Sequence, residues 1–197
     1  MTLINRQRKT VEIPQDRPLK EKEYQRIKKY AYNTTLWYAQ RYPSGKSKLI
    51  DRLIRKGYPV DGVMVESEDG EEVNKDVIAE VMQSLQSDND ELMNEHNIAE
   101  NVINSYLRSG KNVKNAWFKC MQKGVSRTVF DEVVEKYVTQ EDINDALDIA
   151  GRKILRSSTY KKKEKEFDKR NTFLKSMMTK GFDFSDASQW YEDNKDE

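Results

Sequence analysis

One cysteine and one histidine stand in 197 residues. A lone cysteine excludes an internal disulfide framework. With a lone histidine it also excludes the common structural zinc sites, which take four Cys or His ligands. Glycine and proline are scarce, at eight and four. A turn-rich β fold needs more of both, so helices are favoured. The apolar runs are only a few residues long, too short to span a bilayer as a helix. The N-terminus turns basic at Arg6 without a long apolar stretch and does not read as a secretory signal. The chain is therefore expected to be cytoplasmic.

Charge is abundant. Hydrophobic residues make up 36% and charged residues 35%, which leaves little material for one deep core. Small units that share apolar surface fit this balance better. The net charge of +1 hides opposed blocks. Residues 1–60 carry 15 Lys or Arg against 5 acids, and residues 61–100 carry 13 acids against one base, Lys75. Residues 101–140 carry 7 bases against 3 acids, and Arg152 to Lys180 carry 11 against 3. Surfaces of opposite sign can steer a charged partner, although each block also serves as a solvated helix face.

Apolar residues recur at spacings of three and four through most of the chain. Examples are Val77, Ile78, Val81 and Leu85, then Ile98, Ala99, Val102 and Ile103. Each set paints one stripe of a helix. Strict alternation is nearly absent, and its best candidate is the short stretch Val63 to Val65. The fold class expected is all-α.

Three helices should end alike. Leu49, Ile50, Leu53 and Ile54 precede Lys56-Gly57. Ala116, Trp117, Cys120 and Met121 precede Lys123-Gly124, and Phe173, Leu174, Met177 and Met178 precede Lys180-Gly181. The offsets are identical, and an apolar residue follows each glycine. Glycine closes a helix in the left-handed conformation, and lysine suits the negative end of the helix dipole. Ser126 and Ser185 are candidate caps, and Thr139 with Asp142 forms a candidate capping box. This period predicts three tandem three-helix units in an elongated, curved helical-repeat stack. Their spans are 23–87, 88–138 and 139–197, the last with an acidic tail. Residues 1–22 are expected to form a flexible basic arm and residues 64–75 an acidic surface loop.

Sites for chemistry are few. Ser44-Gly45-Lys46-Ser47 resembles part of a phosphate loop, but position 40 is Gln where that loop needs glycine. A turn that opens a helix explains it better, and Ser109-Gly110-Lys111 reads as a similar turn. His96 has no partner for catalysis and suits a polar helix face. Cys120 falls on an apolar stripe and suits a core. The acids Asp69, Glu71 and Glu72, and Asp88, Asp90 and Glu91, lack the spacing of a calcium loop. No constellation for catalysis, metal or cofactor emerges, so a non-enzyme is expected. The basic segment Arg152 to Lys180 interleaves Tyr160, Phe167 and Phe173. It reads equally as a track for a phosphate backbone or as a core-facing stripe with solvated lysines.

The helix sequence resembles the RecX family of bacterial RecA regulators over residues 31–192. The first group carries Leu36-Trp37-Tyr38-Ala39-Gln40-Arg41 and Lys48-Leu49 through Arg55-Lys56-Gly57-Tyr58. The second carries Ile98-Ala99, Leu107-Arg108-Ser109-Gly110-Lys111 and Met121-Gln122-Lys123-Gly124-Val125. The third closes on Lys180-Gly181-Phe182. The chain departs from the family where Gly45-Lys46-Ser47-Lys48-Leu49 replaces a Ser-x-x-Glu-Leu start and Asn94-Glu95 replaces paired aspartates. The resemblance implies a monomer that binds RecA, free or as filament on single-stranded DNA. It would inhibit recombinase and ATPase activities, a role in DNA recombination, repair and the SOS response, with weak direct DNA contact besides. The expected partner contacts are Arg41, Lys46, Arg108, Lys111, Lys123 and Lys180. A helical DNA-binding protein independent of RecA is the alternative, and a helical-repeat scaffold for another partner is a third reading.

Overall fold

Local chemistry sets the helix ends first. A computed structural model describes residues 13, 14 and 16–195. The ten helices among these are α1 (Glu21–Arg41), α2 (Lys46–Arg55), α3 (Val77–Asn89), α4 (Glu95–Arg108) and α5 (Val113–Gln122), then α6 (Arg127–Tyr137), α7 (Gln140–Leu155), α8 (Ser158–Lys161), α9 (Glu166–Thr179) and α10 (Phe184–Asn194). The fold is helical, as the period requires. The chain divides into two compact units, one up to Asn94 and one from Glu95.

All three Lys-Gly stops close the same way. Lys56, Lys123 and Lys180 cap α2, α5 and α9, and Gly57, Gly124 and Gly181 have φ of 92°, 82° and 89°. The next N–H reaches back to the carbonyl five residues earlier: Tyr58 to Leu53 at 3.2 Å, Val125 to Cys120 at 3.1 Å, Phe182 to Met177 at 3.2 Å. Only a residue without Cβ takes this φ at no steric cost, and the pair of reversed bonds satisfies the last carbonyls. Tyr58, Val125 and Phe182 are then carried into the core.

The four apolar offsets are not equivalent. Leu49, Ala116 and Phe173, seven before the lysine, are buried, and so are Leu53, Cys120 and Met177, three before it. Ile54, Met121 and Met178, two before it, are 39%, 48% and 55% exposed. The stripe is narrower than four apolar positions suggest, and the outermost one faces solvent in each helix.

In the first unit α1 packs on α2 and α3 over Tyr24, Ala31, Ala39, Leu49, Leu53 and Val81. Lys28 pairs with Glu80 at 2.6 Å, and the Tyr32 hydroxyl donates to Asp88 at 2.8 Å, so the acids of α3 face the inner side of α1. The expected loop at 64–75 is instead a hairpin. Strands β2 (Val63–Glu66) and β3 (Glu72–Lys75) pair antiparallel, and β1 (Leu19–Lys20) pairs parallel with β2. Val65 is the one buried residue of the hairpin strands, at 1%. The turn closes through Ser67 N–H donating to Glu71 O at 2.8 Å and Glu71 N–H to the Ser67 hydroxyl at 3.1 Å. A predominantly acidic sequence hides this hairpin, because one buried valine and a serine turn carry it.

The expected arm also ends earlier. Residues 1–12 lie outside the described residues, but Leu19 is 1% exposed in β1 and α1 already starts at Glu21. Arg17 grips both oxygens of Glu23 at 2.9 Å, and the Lys20 N–H donates to the same carboxylate at 3.0 Å. These bonds, Arg17 first, hold the Glu23 carboxyl down at about 2. A depressed carboxyl contributes stability above its ordinary range and loses it as pH falls through the folded value. A carboxyl NMR titration should therefore find Glu23 near 2 in the native chain. In Arg17→Ala it should return toward the ordinary carboxylate range.

The second unit has one core. It runs from Ile98, Ala99 and Ile103 of α4 through Cys120, Phe130 and Ala150 to Phe173, Trp190 and Tyr191. α4 packs on α5, α6 and α7, and α7 packs on α9 and α10. Helices expected in separate units at 88–138 and 139–197 thus share apolar surface. Ser126 caps α6, its hydroxyl accepting from Val129 at 3.4 Å. The Thr139–Asp142 box caps α7, and its bonds hold the Asp142 carboxyl below its usual range. Ser185 is not a cap: α10 begins after Asp183, and Ser185 lies inside it. The last two residues of the acidic tail, Asp196 and Glu197, lie outside the described residues.

Candidate partner-binding site

Cationic turns are the chemistry on offer. Among the described residues no group of three or more His, Cys, Asp or Glu is placed to hold a metal ion. No helix there is long and apolar enough to cross a membrane. His96 sits on an exposed face 3.1 Å from Glu132. Cys120 is fully buried, and that burial pushes its thiol up to about 11, which disfavours the reactive thiolate. Gly45 opens α2 in a helix–turn–helix, with the Ser44 hydroxyl donating to Tyr42 O at 2.7 Å, and no phosphate loop forms. Ser109-Gly110-Lys111 differs from it, because Gly110 has φ of 74° and ends α4.

In the first unit Arg41 ends α1 with its guanidinium 4.3 Å from the centre of the Trp37 ring. Trp37 is 49% exposed, so the pair forms a cation–aromatic patch on the outer face of the helix. Lys46 begins α2, exposed, at the rim of an apolar groove of about 400 Å3 with Ile50, Ile54, Val60, Ile78 and Met82.

In the second unit the structure joins two of the expected contacts. The stop of α9 docks on the first turn of α5. Asn112 N–H donates to Lys180 O at 2.9 Å, the Asn115 side chain donates to Thr179 O at 2.9 Å, and Lys114 pairs with Asp183 at 2.8 Å. This brings Lys180 beside Lys111, which lies 4.9 Å from the Tyr106 ring. Lys153 of α7 joins them, its ammonium donating to Ser109 O at 3.2 Å. Burial first, then the charges of Lys111 and Lys153, hold the Lys180 ammonium below its ordinary pKa. Lys111 and Lys180 are half-buried and Lys153 is exposed, and an anionic partner would relieve the repulsion among these like charges.

Arg108 and Lys123 are the other expected contacts in this unit. Arg108 ends α4, exposed. Lys123 caps the far end of α5, its pKa lowered by burial and then by Lys119. Within the second unit Lys111 and Lys180 are the two expected contacts near enough for one charge to act on the other. Sequence reasoning did not single out Lys153, which donates to Ser109 O, or the Trp37 ring beside Arg41 as candidates. Lys153 shares the basic last turn of α7 with Arg152, which marks a helix end in the sequence but not what that end meets. The Arg152–Lys180 segment also resolves into different roles: Phe173 is fully buried, Tyr160 is 8% exposed and Phe167 is 74% exposed.

No family model matches the sequence, and neither does any curated protein. Solved structures do match. A crystal structure of a regulatory protein RecX is similar with a TM-score of 0.61 at 19% identity, covering 94% of this chain and 83% of that one. The structure of RecX from Lactobacillus salivarius is similar with a TM-score of 0.61 at 18% identity, covering 86% of this chain and 97% of that one. At such identities the likeness is one of fold.

Proposed function

We propose that this chain is a RecX-type regulatory protein. It binds RecA, free or as filament on single-stranded DNA, and inhibits recombinase and ATPase activities. It acts in the cytoplasm as a monomer and performs no chemistry of its own. The observation that carries this reading is the likeness of fold to two RecX structures over 94% and 86% of the chain. The sequence resemblance at all three Lys-Gly stops runs in the same direction. Two surfaces suit the contact. Trp37 with Arg41 presents residue types enriched at the energetic centres of interfaces. Lys111, Lys153 and Lys180 present a cationic cluster that an acidic surface on the partner would complement.

The test is DNA-dependent ATP hydrolysis by RecA, titrated with this protein. Dose-dependent inhibition at substoichiometric amounts supports the reading, and an unchanged rate refutes it. Lys111→Glu with Lys180→Glu should raise the half-inhibiting concentration by about tenfold or more, since like charge placed at a contact repels as well as removing attraction. Equal inhibition by this variant would move the contact elsewhere on the chain.

A further inference from the structure

The open apolar groove of the first unit, about 400 Å3 between α2 and α3, belongs to neither surface named above. α2 folds back on α1 across residues 42–45, and the Arg52 guanidinium lies 3.9 Å from the centre of the Tyr38 ring. α3 runs in the same direction as α1, since Lys28 meets Glu80 and Tyr32 meets Asp88. α2 and α3 are therefore antiparallel, and the groove between them has two different ends. Lys46 and Gln86 stand at one end, Val60 and Asp76 at the other. Ile50, Ile54 and Met82 line the stretch between them.

Charge is confined to those ends. In a chain with 35% charged residues, only Lys46 and Asp76 of the groove lining are charged. α3 turns its acids Glu80 and Asp88 toward α1 and leaves the exposed, uncharged Ala79, Gln83 and Gln86 to the groove. On the opposite wall Ile54 and Val60 are exposed, Val60 at 61%. A face that serves only for solvation carries charge. Apolar side chains with a charge-depleted surround are instead the composition of an interface core. Ala79 adds room, because its small side chain lets a neighbouring backbone come close.

We infer that this groove receives an amphipathic helix of the partner, with the helix C-terminal end at Lys46 and its N-terminal end at Asp76. The inference rests on the regulatory reading above, which makes that partner RecA. An extended segment does not suit the groove. Both long walls are helices whose backbone groups bond within themselves, so no strand edge pairs with a guest strand. Its N–H and C=O groups would lie unpaired on apolar side chains. A helix satisfies its own backbone and lays one apolar stripe into the groove. Its length is set by the wall: Lys46 and Ile54 are eight residues apart in α2, about 12 Å or two helical turns. Its direction follows from charge. The last carbonyls of a helix are its negative end and suit the Lys46 ammonium, while the first N–H groups are its positive end and suit Asp76. Lys46 makes no ion pair among the described residues. Asp76 is held in place by accepting from the Ala79 N–H through Oδ1 at 2.9 Å.

DNA-dependent ATP hydrolysis by RecA is titrated with the full native chain and with groove variants. Ile54→Glu with Val60→Glu should raise the half-inhibiting concentration by about tenfold or more, since it buries two unpaired charges under the guest. Ala79→Leu keeps the groove apolar but fills it, and should raise that concentration by about threefold or more. Lys46→Glu should weaken inhibition by about threefold, although an acid suits the start of α2 and leaves the fold intact. The control, Phe118→Glu with Met121→Glu, places the same two charges on exposed apolar residues of the second unit and should stay within about twofold. If far-UV circular dichroism shows that the doubly charged groove variant does not fold, Ile54→Ser with Val60→Ser replaces it, with a smaller loss in the same direction. Hydrogen exchange of RecA, resolved by peptide, then identifies the guest. The RecA segment protected by the native chain but not by the groove variant should be a helix. Equal inhibition by the native chain and the groove variants overturns this inference and leaves the regulatory reading standing. Loss of protection in a strand or an extended loop overturns it as well. A native chain without effect on RecA refutes the regulatory reading, and this inference with it.

Discussion

Replacing Phe173 with alanine is expected to destabilise the second unit by about 3–5 kcal/mol, the usual cost of emptying a buried phenylalanine site. Phe173 of α9 has no exposed surface. Its ring stacks on Trp190 with centroids 5.4 Å apart and an interplanar angle of 6°, and it meets Tyr191 at 4.9 Å. Truncation removes the burial of the ring and both aromatic contacts, and the two partners are large rings on one helix that cannot both move in to fill the space. A domain is stable by only about 5–15 kcal/mol, so the loss takes a large share of the total. Urea unfolding would measure it against Phe118→Ala, whose side chain is 61% exposed and whose loss should stay within about 0.5 kcal/mol. Similar midpoints for the two variants would mean that α9 and α10 do not meet through these rings.

The second large effect reverses what helix propensity predicts. Gly151 lies inside α7, where alanine would ordinarily be favoured by about 1 kcal/mol. A Cβ at this position would stand 2.4–2.5 Å from three atoms of the Trp190 ring. That ring cannot simply withdraw. One face stacks on Phe173, and its indole N–H donates to Asp148 at 3.3 Å. Gly151→Ala should therefore destabilise the unit by about 1–3 kcal/mol, the usual cost of overpacking a core. The same substitution in a Trp190→Phe background should cost less, since a smaller ring leaves room, and that non-additivity identifies the contact as the cause. A rise in the urea midpoint for the single variant would show that propensity outweighs packing here.

These two positions also show where local reasoning stops. The period of three and four marks α9 and Phe173 within its apolar stripe, and the glycine after Lys180 marks its end. Nothing in the sequence near Gly151 says that a tryptophan 39 residues later crosses over it. The hairpin at 63–75 is a similar case. Its alternation is visible only at Val63 to Val65, and its parallel partner Leu19 stands more than 40 residues away, so no local window contains the pairing. The exposure of Ile54, Met121 and Met178 is equally hidden. An apolar residue at the edge of a stripe reads as core until neighbouring helices show how wide the contact is.

The candidate contacts divide the same way. Arg41, Lys46, Arg108, Lys111, Lys123 and Lys180 are all legible as cations at helix ends, because helix ends follow from short-range hydrogen bonding. That Lys111 and Lys153 lie near enough to act on the Lys180 charge depends on helices packing across the second unit.

By itself the sequence determined that the chain is helical, where most helices begin and end, and that three of them close through the same lysine–glycine turn. Those features depend on bonds between residues at most five apart, so neighbouring side chains decide them. Only the tertiary structure decided which stripe positions are buried, that an acidic stretch pairs as strands, and which positive charges share one surface. Those outcomes depend on residues far apart in the chain, brought together by burial that no single segment achieves alone.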